Sequence, residues 1–295
     1  MLEGMEESFK KICTNGIKMA VIEEHHLSWI ARESDRYTIK QGLAKSFYDQ
    51  HNYVALALAQ QHGQVFSLPE LLQARILLPF DDQLWRVPLT AQTEEITGKT
   101  KQGNKVAIVV HGSGLLTPER IFQGVEEGLT RTLSGKEQYA LRLQEKEVHD
   151  LLEGNTFWND IEVYSYAEFR KAKPKHLRRY AIVRDLELQD GSFPEKKSFR
   201  AWSALPSLQC YAGGEEKLWL YLEMLELYGK QNQVEYQPPY NFIDPDLPQG
   251  RLLQVHGLVD MIYYSMEMDG VARFLAVKPE ELREKIDKEI LIEVP

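Results

Sequence analysis

Apolar positions along the chain fall into two rhythms. In the opening stretch they recur every three or four residues, the helical period. Residues 2–13 form one such run, stopped by Asn15-Gly16, and Ile17, Ala20, Val21, Leu27, Ile30 and Ala31 carry the period on to about Arg36. Residues 39–61 place Leu43, Ala44, Phe47 and Tyr48 on one helical face and then run apolar through 53–59, ending at His62-Gly63. Ser67-Leu68-Pro69-Glu70 is a capping box that opens another helix, and Pro79-Phe80-Asp81-Asp82 breaks it. The spacing predicts an almost wholly helical first third.

The second rhythm begins at Val106-Ala107-Ile108-Val109-Val110. This run of β-formers has no polar alternation, which suits a strand covered on both faces. His111-Gly112-Ser113-Gly114 follows as a loop. Thr117-Pro118 then supplies a cap and a first-turn proline for a helix over 118–128, with Ile121, Phe122, Val125 and Leu129 on its apolar face. Ser134-Gly135-Lys136-Glu137 reads as a second capping box, opening a helix that Gly154-Asn155 closes. Residues 161–164 read as a strand, Ser165-Tyr166-Ala167-Glu168 as a third box with a short helix, and 180–183 as another buried strand. This order predicts parallel strands beside 106–110. Leu218, Tyr221, Leu222, Leu225 and Tyr228 mark a further helix after Gly213-Gly214. Residues 258–267 and 271–277 flank Asp269-Gly270 as a hairpin, and Pro279 starts a last helix followed by an edge strand over 290–294.

The fold class that results is mixed α/β: a helical N-terminal third, a mixed or partly parallel sheet flanked by helices, and a C-terminal β-hairpin and helix. Residues 83–103 are irregular, with a short helix candidate around Thr93-Glu94-Glu95. The polar stretch 98–104 is the expected linker. It divides a helical region 1–100 from an α/β domain 101–295, the alternative being one continuous domain.

Composition narrows the chemistry. Hydrophobic residues make up 43% and charged residues 27%, which is ordinary for a globular protein with a sizeable core. The formal net charge of −9 disfavours general nucleic-acid binding. Two cysteines, Cys13 and Cys210, imply neither a disulfide framework nor a metal site. The acidic start lacks the apolar core of a signal peptide, and the uncharged stretch 50–69 holds too many amides and histidines to span lipid. No membrane association and a cytoplasmic location are expected.

The loop at 111–114 is the main candidate site. Glycines let backbone N–H groups approach an anion, and the helix start after Thr117 favours negative charge. His111 and Ser113 are the candidate catalytic groups, with Asp185 and His256 as partners and Gly112, Gly114, Thr117 and Arg120 as ligand-binding residues. The competing reading is a tight strand-to-helix connection. A strand ending in His-Gly-X-Gly resembles the oxyanion loop of α/β-hydrolases, but no G-x-S-x-G elbow follows. No dinucleotide fingerprint or P-loop is present. Adjacent His25-His26 point in different directions on a helix, and Asp244 and Asp246 lack a calcium-loop glycine, so no metal site is expected. No cofactor is implied.

A second candidate is basic. Arg170, Lys171, Lys173, Lys175, Arg178 and Arg179 gather within ten residues of an acidic protein and suit a phosphate-bearing ligand, an acidic partner or RNA. The ordinary alternative is a solvated connection. Two readings result. One is a small-molecule or anion-binding α/β protein that uses the 111–114 loop, as an enzyme if His111 acts as acid or base. The other is a non-catalytic assembly or scaffold subunit acting through protein partners or as a homo-oligomer. RNA binding through 170–179 is a weaker third.

Overall fold

A computed structural model describes residues 44–77, 83–85, 87–127, 130–133, 136–155, 161–172, 179–186, 202–232, 247–255, 262–264 and 272–278. Over these residues the chain is a mixed α/β protein with two sheets and seven α-helices. Strands β1 (Ala44–Asp49) and β2 (Gln64–Val65) enclose helix α1 (Asn52–His62), and helix α2 (Leu68–Ile76) follows. Then come β3 (Leu89–Lys99), β4 (Lys105–His111), α3 (Pro118–Glu126), β5 (Thr130–Leu133), β6 (Lys136–Arg142) and α4 (Glu145–Leu152). The chain continues through β7 (Glu162–Ser165), α5 (Tyr166–Ala172), β8 (Tyr180–Asp185), α6 (Pro206–Ala212) and α7 (Glu215–Asn232). Strands β9 (Gln249–Val255), β10 (Ile262–Tyr264) and β11 (Ala272–Val277) complete the described elements.

The large sheet runs β5-β6-β9-β3-β4-β8-β7, with β10 paired to the side of β9. The small sheet runs β1-β11-β2. Strand β4 is buried from Val106 onward because both faces of the large sheet are covered. Val109 joins Leu68, Leu72, Leu208, Tyr211 and Leu222 in one core. Ile108 and Val110 join Leu56, Ile121, Val148 and Phe274 in the other. A strand with a core on each side has no use for polar alternation, so its sequence reads as an apolar run. Helices α2, α6 and α7 supply the first core, and α1, α3, α4 and the small sheet supply the second.

Local grammar is realised where the partners are close in sequence. Thr117 caps α3 by accepting the Arg120 N–H at 3.2 Å, with Pro118 in the first turn. Ser67 caps α2, its backbone N–H donating to Glu70 at 2.7 Å. The Ser165 hydroxyl and N–H both donate to Glu168.

Where pairing partners are distant, the structure departs from the expectation. Strand β4 pairs antiparallel with both β3 and β8, and among the described strands only β7 and β8 run parallel. Residues 44–49 form a strand rather than a helix, because all six pair with β11 from the far end of the chain. The helix expected over 136–152 splits: Lys136–Arg142 is a strand between β5 and β9, and the helix begins at Glu145. The stretch around Thr93-Glu94-Glu95 is neither irregular nor helical but the middle of β3, the longest strand described. Of the two strands expected around Asp269-Gly270, the described residues pair elsewhere: β10 joins β9, and β11 joins β1 and β2. The helices read over 2–36, the Pro-rich loop at 237–248 up to Asp246, and everything expected beyond residue 278 lie outside the described residues.

Candidate functional site

His111 closes β4 with a side chain wholly inside the protein. Its Nδ1 lies 3.1 Å from Thr93 Oγ1, and its Nε2 lies 2.8 Å from the Cys210 carbonyl oxygen. Thr93 Oγ1 also accepts the Leu68 N–H at 2.8 Å. One proton arrangement satisfies all three contacts: Nε2–H donates to the carbonyl, and the threonine hydroxyl donates to Nδ1. The imidazole thereby ties β4 to the start of α2 and to α6. Burial drives its pKa down to about 3, overriding the Cys210 carbonyl, so the ring is neutral at ordinary pH. Tyr180 packs against it, ring centroids 4.9 Å apart, and burial pushes that phenol well above its usual range.

Beyond His111 the chain turns at Gly112, which has φ of +85°. The Gly112 N–H donates to the Gln92 carbonyl at 2.8 Å, and the Gln92 amide donates to Ser113 Oγ at 2.6 Å. Arg179 Nε donates to the Ser113 carbonyl at 2.6 Å. The N–H groups of Gly114 and Leu115 each donate to one oxygen of the Glu94 carboxylate, both at 2.8 Å. The loop is thus a nest for an anion, and the anion seated in it belongs to the chain's own β3. Gly114 is required for that approach, since a Cβ there would lie 2.4 Å from Glu94 Oε2. Burial raises the Glu94 pKa to about 7 against the opposing pull of the backbone N–H groups and of Arg179.

The other candidate residues are dispersed. Asp185 is exposed at the end of β8, opposite Val106, whereas His111 pairs with Tyr180. Antiparallel pairing therefore sets it five strand positions from His111, roughly 16 Å away. The expectation that Asp185 sits at the same sheet end rested on parallel strands, and the structure does not bring the two together. Arg120 holds α3 to α4, its Nε and a terminal nitrogen donating to Glu147 at 2.9 and 3.2 Å and to the Arg142 carbonyl at 3.0 Å. Arg170 and Lys171 are exposed on α5, whereas Arg179 is half-buried against the loop. Lys173, Lys175, Arg178 and His256 lie outside the described residues.

Several buried polar residues carry no obvious mark in the sequence. Glu94 and Glu95 are neighbours on β3 and serve opposite faces. Glu95 accepts two bonds from Arg251, at 3.1 and 2.8 Å, and one from the Tyr211 hydroxyl at 2.5 Å. Arg75 donates to the Tyr221 hydroxyl at 3.1 Å and to the Val87 carbonyl at 3.0 Å, with its guanidinium over the Trp85 ring. The one available signal for Glu94 is the alternation Thr90, Gln92, Glu94, which marks the polar side of a strand. Among the described residues no group of three or more His, Cys, Asp or Glu side chains is arranged to hold a metal ion. None of the described helices is long and apolar enough to cross a membrane.

No family model and no curated protein matches the chain. A solved structure from work on the accommodation of massive sequence variation in Nanoarchaeota by the C-type lectin fold is similar to it, with a TM-score of 0.61 and 26% identity. That match covers 81% of this chain and 100% of the other.

Proposed function

We propose that the chain is a non-catalytic recognition protein, built on a scaffold like the C-type lectin fold, that binds an acidic partner through the basic segment 170–179. The observation that carries this reading is the seating of Glu94 in the 111–114 loop. The groups that would bind an outside anion there, the Gly114 and Leu115 N–H, are already bonded to Glu94. Both nitrogens of His111 are engaged inside the core, so the ring has no partner-free nitrogen with which to move a substrate proton. Gly112, Ser113 and Arg120 likewise act as braces between elements, and Thr117 caps α3. Exposed cationic chemistry lies instead on α5, at Arg170 and Lys171, and continues in the sequence through Lys173, Lys175 and Arg178. The likeness to a fold described as accommodating massive sequence variation supports a division between a braced interior and a surface that carries recognition.

The test uses a fluorescent poly-glutamate peptide and anisotropy at low and high salt. The wild-type protein is expected to bind it, more weakly as salt rises, and Arg170→Glu/Lys171→Glu to reduce that binding at least tenfold. Ser113→Ala is expected to bind as the wild type does. Binding lost in Ser113→Ala but kept in the charge-reversed variant would return the site to the loop. A parallel urea titration checks His111. Its removal as His111→Ala strands the Cys210 carbonyl and opens a cavity, an expected cost of about 3 kcal/mol. An unchanged or raised midpoint, as is common when a catalytic group is removed, would count against a purely structural histidine.

A further inference from the structure

The face of α7 that points to solvent is unlike an ordinary helix surface. Leu218, Tyr221, Leu222 and Leu225 bury one side of the helix in the core. The opposite side carries Trp219, Leu220 and Leu227, which are 40%, 42% and 48% exposed. Glu216 and Glu223 lie on the same outer face, within about 100° of arc at the helical period. Three of the four large hydrophobics exposed among the described residues therefore lie on one helical face, with Glu216 and Glu223 interspersed among them. Clustered exposed apolar residues containing a tryptophan are the usual signature of a protein contact.

Charge selects the occupant. Two α7 faces meeting head-on would set Glu216 and Glu223 against their own copies, which is unfavourable. The complementary surface is on the same chain: Arg170 and Lys171 are exposed on α5 in a strongly cationic stretch. Helix α5 touches α6 through the Tyr166 hydroxyl, which donates to Gln209 at 2.5 Å. Helix α6 turns through Gly213-Gly214 directly into α7. Phe169, Leu208 and Leu218 share one core, so the acidic-apolar and basic helices flank α6 on one side of the large sheet. A two-fold axis that sets α7 of each copy against α5 of the other forms the same contact twice.

We infer that the occupant of the α7 face is the α5 segment of a second copy of this chain, in a symmetric dimer. The aromatic ring of Trp219 offers a face for a cation such as Arg170 or Lys171, and Leu220 and Leu227 cover the aliphatic stems. This rests on the reading of 170–179 as the basic recognition segment and names its partner. A contact built on two short patches is modest, so the dimer is expected to dissociate in the range of about 1–100 µM at physiological salt.

Sedimentation velocity of the full chain over that concentration range tests it. Wild-type protein should form dimers that weaken as salt rises. Trp219→Ala/Leu220→Ala and Arg170→Glu/Lys171→Glu should each weaken self-association at least tenfold. Mixing Arg170→Glu/Lys171→Glu with Glu216→Lys/Glu223→Lys should restore dimers, because each contact can then pair opposite charges in trans. Circular dichroism on each variant confirms that it is folded. A monomer at every concentration, or dimers indifferent to these substitutions, overturns the inference. Poly-glutamate binding by such a monomer would keep the basic recognition segment and remove only the second copy as its partner. Dimers sensitive to Trp219 but not to Arg170 and Lys171 would overturn the assigned occupant.

Discussion

Glu94 and His111 stand on adjacent strands and titrate in opposite senses. Glu94 has its pKa raised from 4.5 to about 7 by burial, so between those values the folded protein holds a proton that the unfolded chain has lost. Its contribution to stability is full below about pH 4.5 and is lost as pH rises through about 7. His111 has its pKa lowered from 6.5 to about 3, so between those values the unfolded chain holds the extra proton. That contribution is full above about pH 6.5 and is lost as pH falls through about 3. Each slope is about 1.4 kcal/mol per pH unit, and the two oppose each other between about pH 4.5 and 6.5. Glu94→Gln removes one of them. Urea titrations at pH 4.5, 5.5 and 6.5 should then show stability climbing with pH more steeply than in the wild type. Matching pH slopes for the two proteins would mean that Glu94 does not titrate inside the loop. The contact itself is tested by Gly114→Ala, whose new methyl meets the carboxylate at 2.4 Å and should cost about 2 kcal/mol. In a Glu94→Ala background most of that cost should disappear, and a purely additive double mutant would show that the clash lies elsewhere.

Elements were legible in the sequence wherever their determinants are local. The apolar run 106–110, the Thr117-Pro118 start of α3 and the buried face of α7 all follow from neighbours within a turn or a strand length. Strands β1, β3 and β6 were not, because each is specified by partners far away. Strand β3 contains Glu94-Glu95, which locally resembles a helix start, and the loop at 114–115, Arg251 and Tyr211 make two buried carboxylates tolerable in a strand. The candidate loop was legible as an anion nest, but its anion lies twenty residues upstream. Arg120 shows the same limit: it read as a ligand group, and it serves as a clamp between α3 and α4. Glu147, its partner, also accepts the Gln144 N–H at 2.7 Å in the capping box of α4. Arg120→Ala should therefore cost about 1 kcal/mol and Glu147→Ala about 2 kcal/mol, since the second loses both the ion pair and the cap. Chemical denaturation of the two variants checks the order, and a larger cost for Arg120→Ala would show that the cap contributes little.

Among the described residues, strand pairing crosses the position where the sequence suggested a boundary. Strands β3 and β4, on either side of residues 100–104, pair over seven residues, from Thr93 with His111 to Lys99 with Lys105. Strand β1 pairs with β11, and Phe66 links the two sheets, its N–H donating to the Leu275 carbonyl and its carbonyl accepting the Gln92 N–H, both at 2.9 Å. Both cores draw side chains from before residue 100 and after it: Leu72 lies with Leu222 in one, and Leu56 with Phe274 in the other. A cut at 100/101 would strip β3 of both its neighbours, β4 and β9, leave β11 without β1 and open both cores at once. We therefore expect a single cooperative unit over the described residues rather than a helical region and a separate α/β domain. Fragments 1–100 and 101–295, made separately, should each lack a sharp thermal transition, because neither can bury the apolar face that the other covers. Mixed together they should regain native-like circular dichroism and a single transition, since the pairing surfaces are intact. A 101–295 fragment that melts cooperatively alone, at the temperature of the full chain, would show that the strand pairing across residue 100 is dispensable and that the boundary is real.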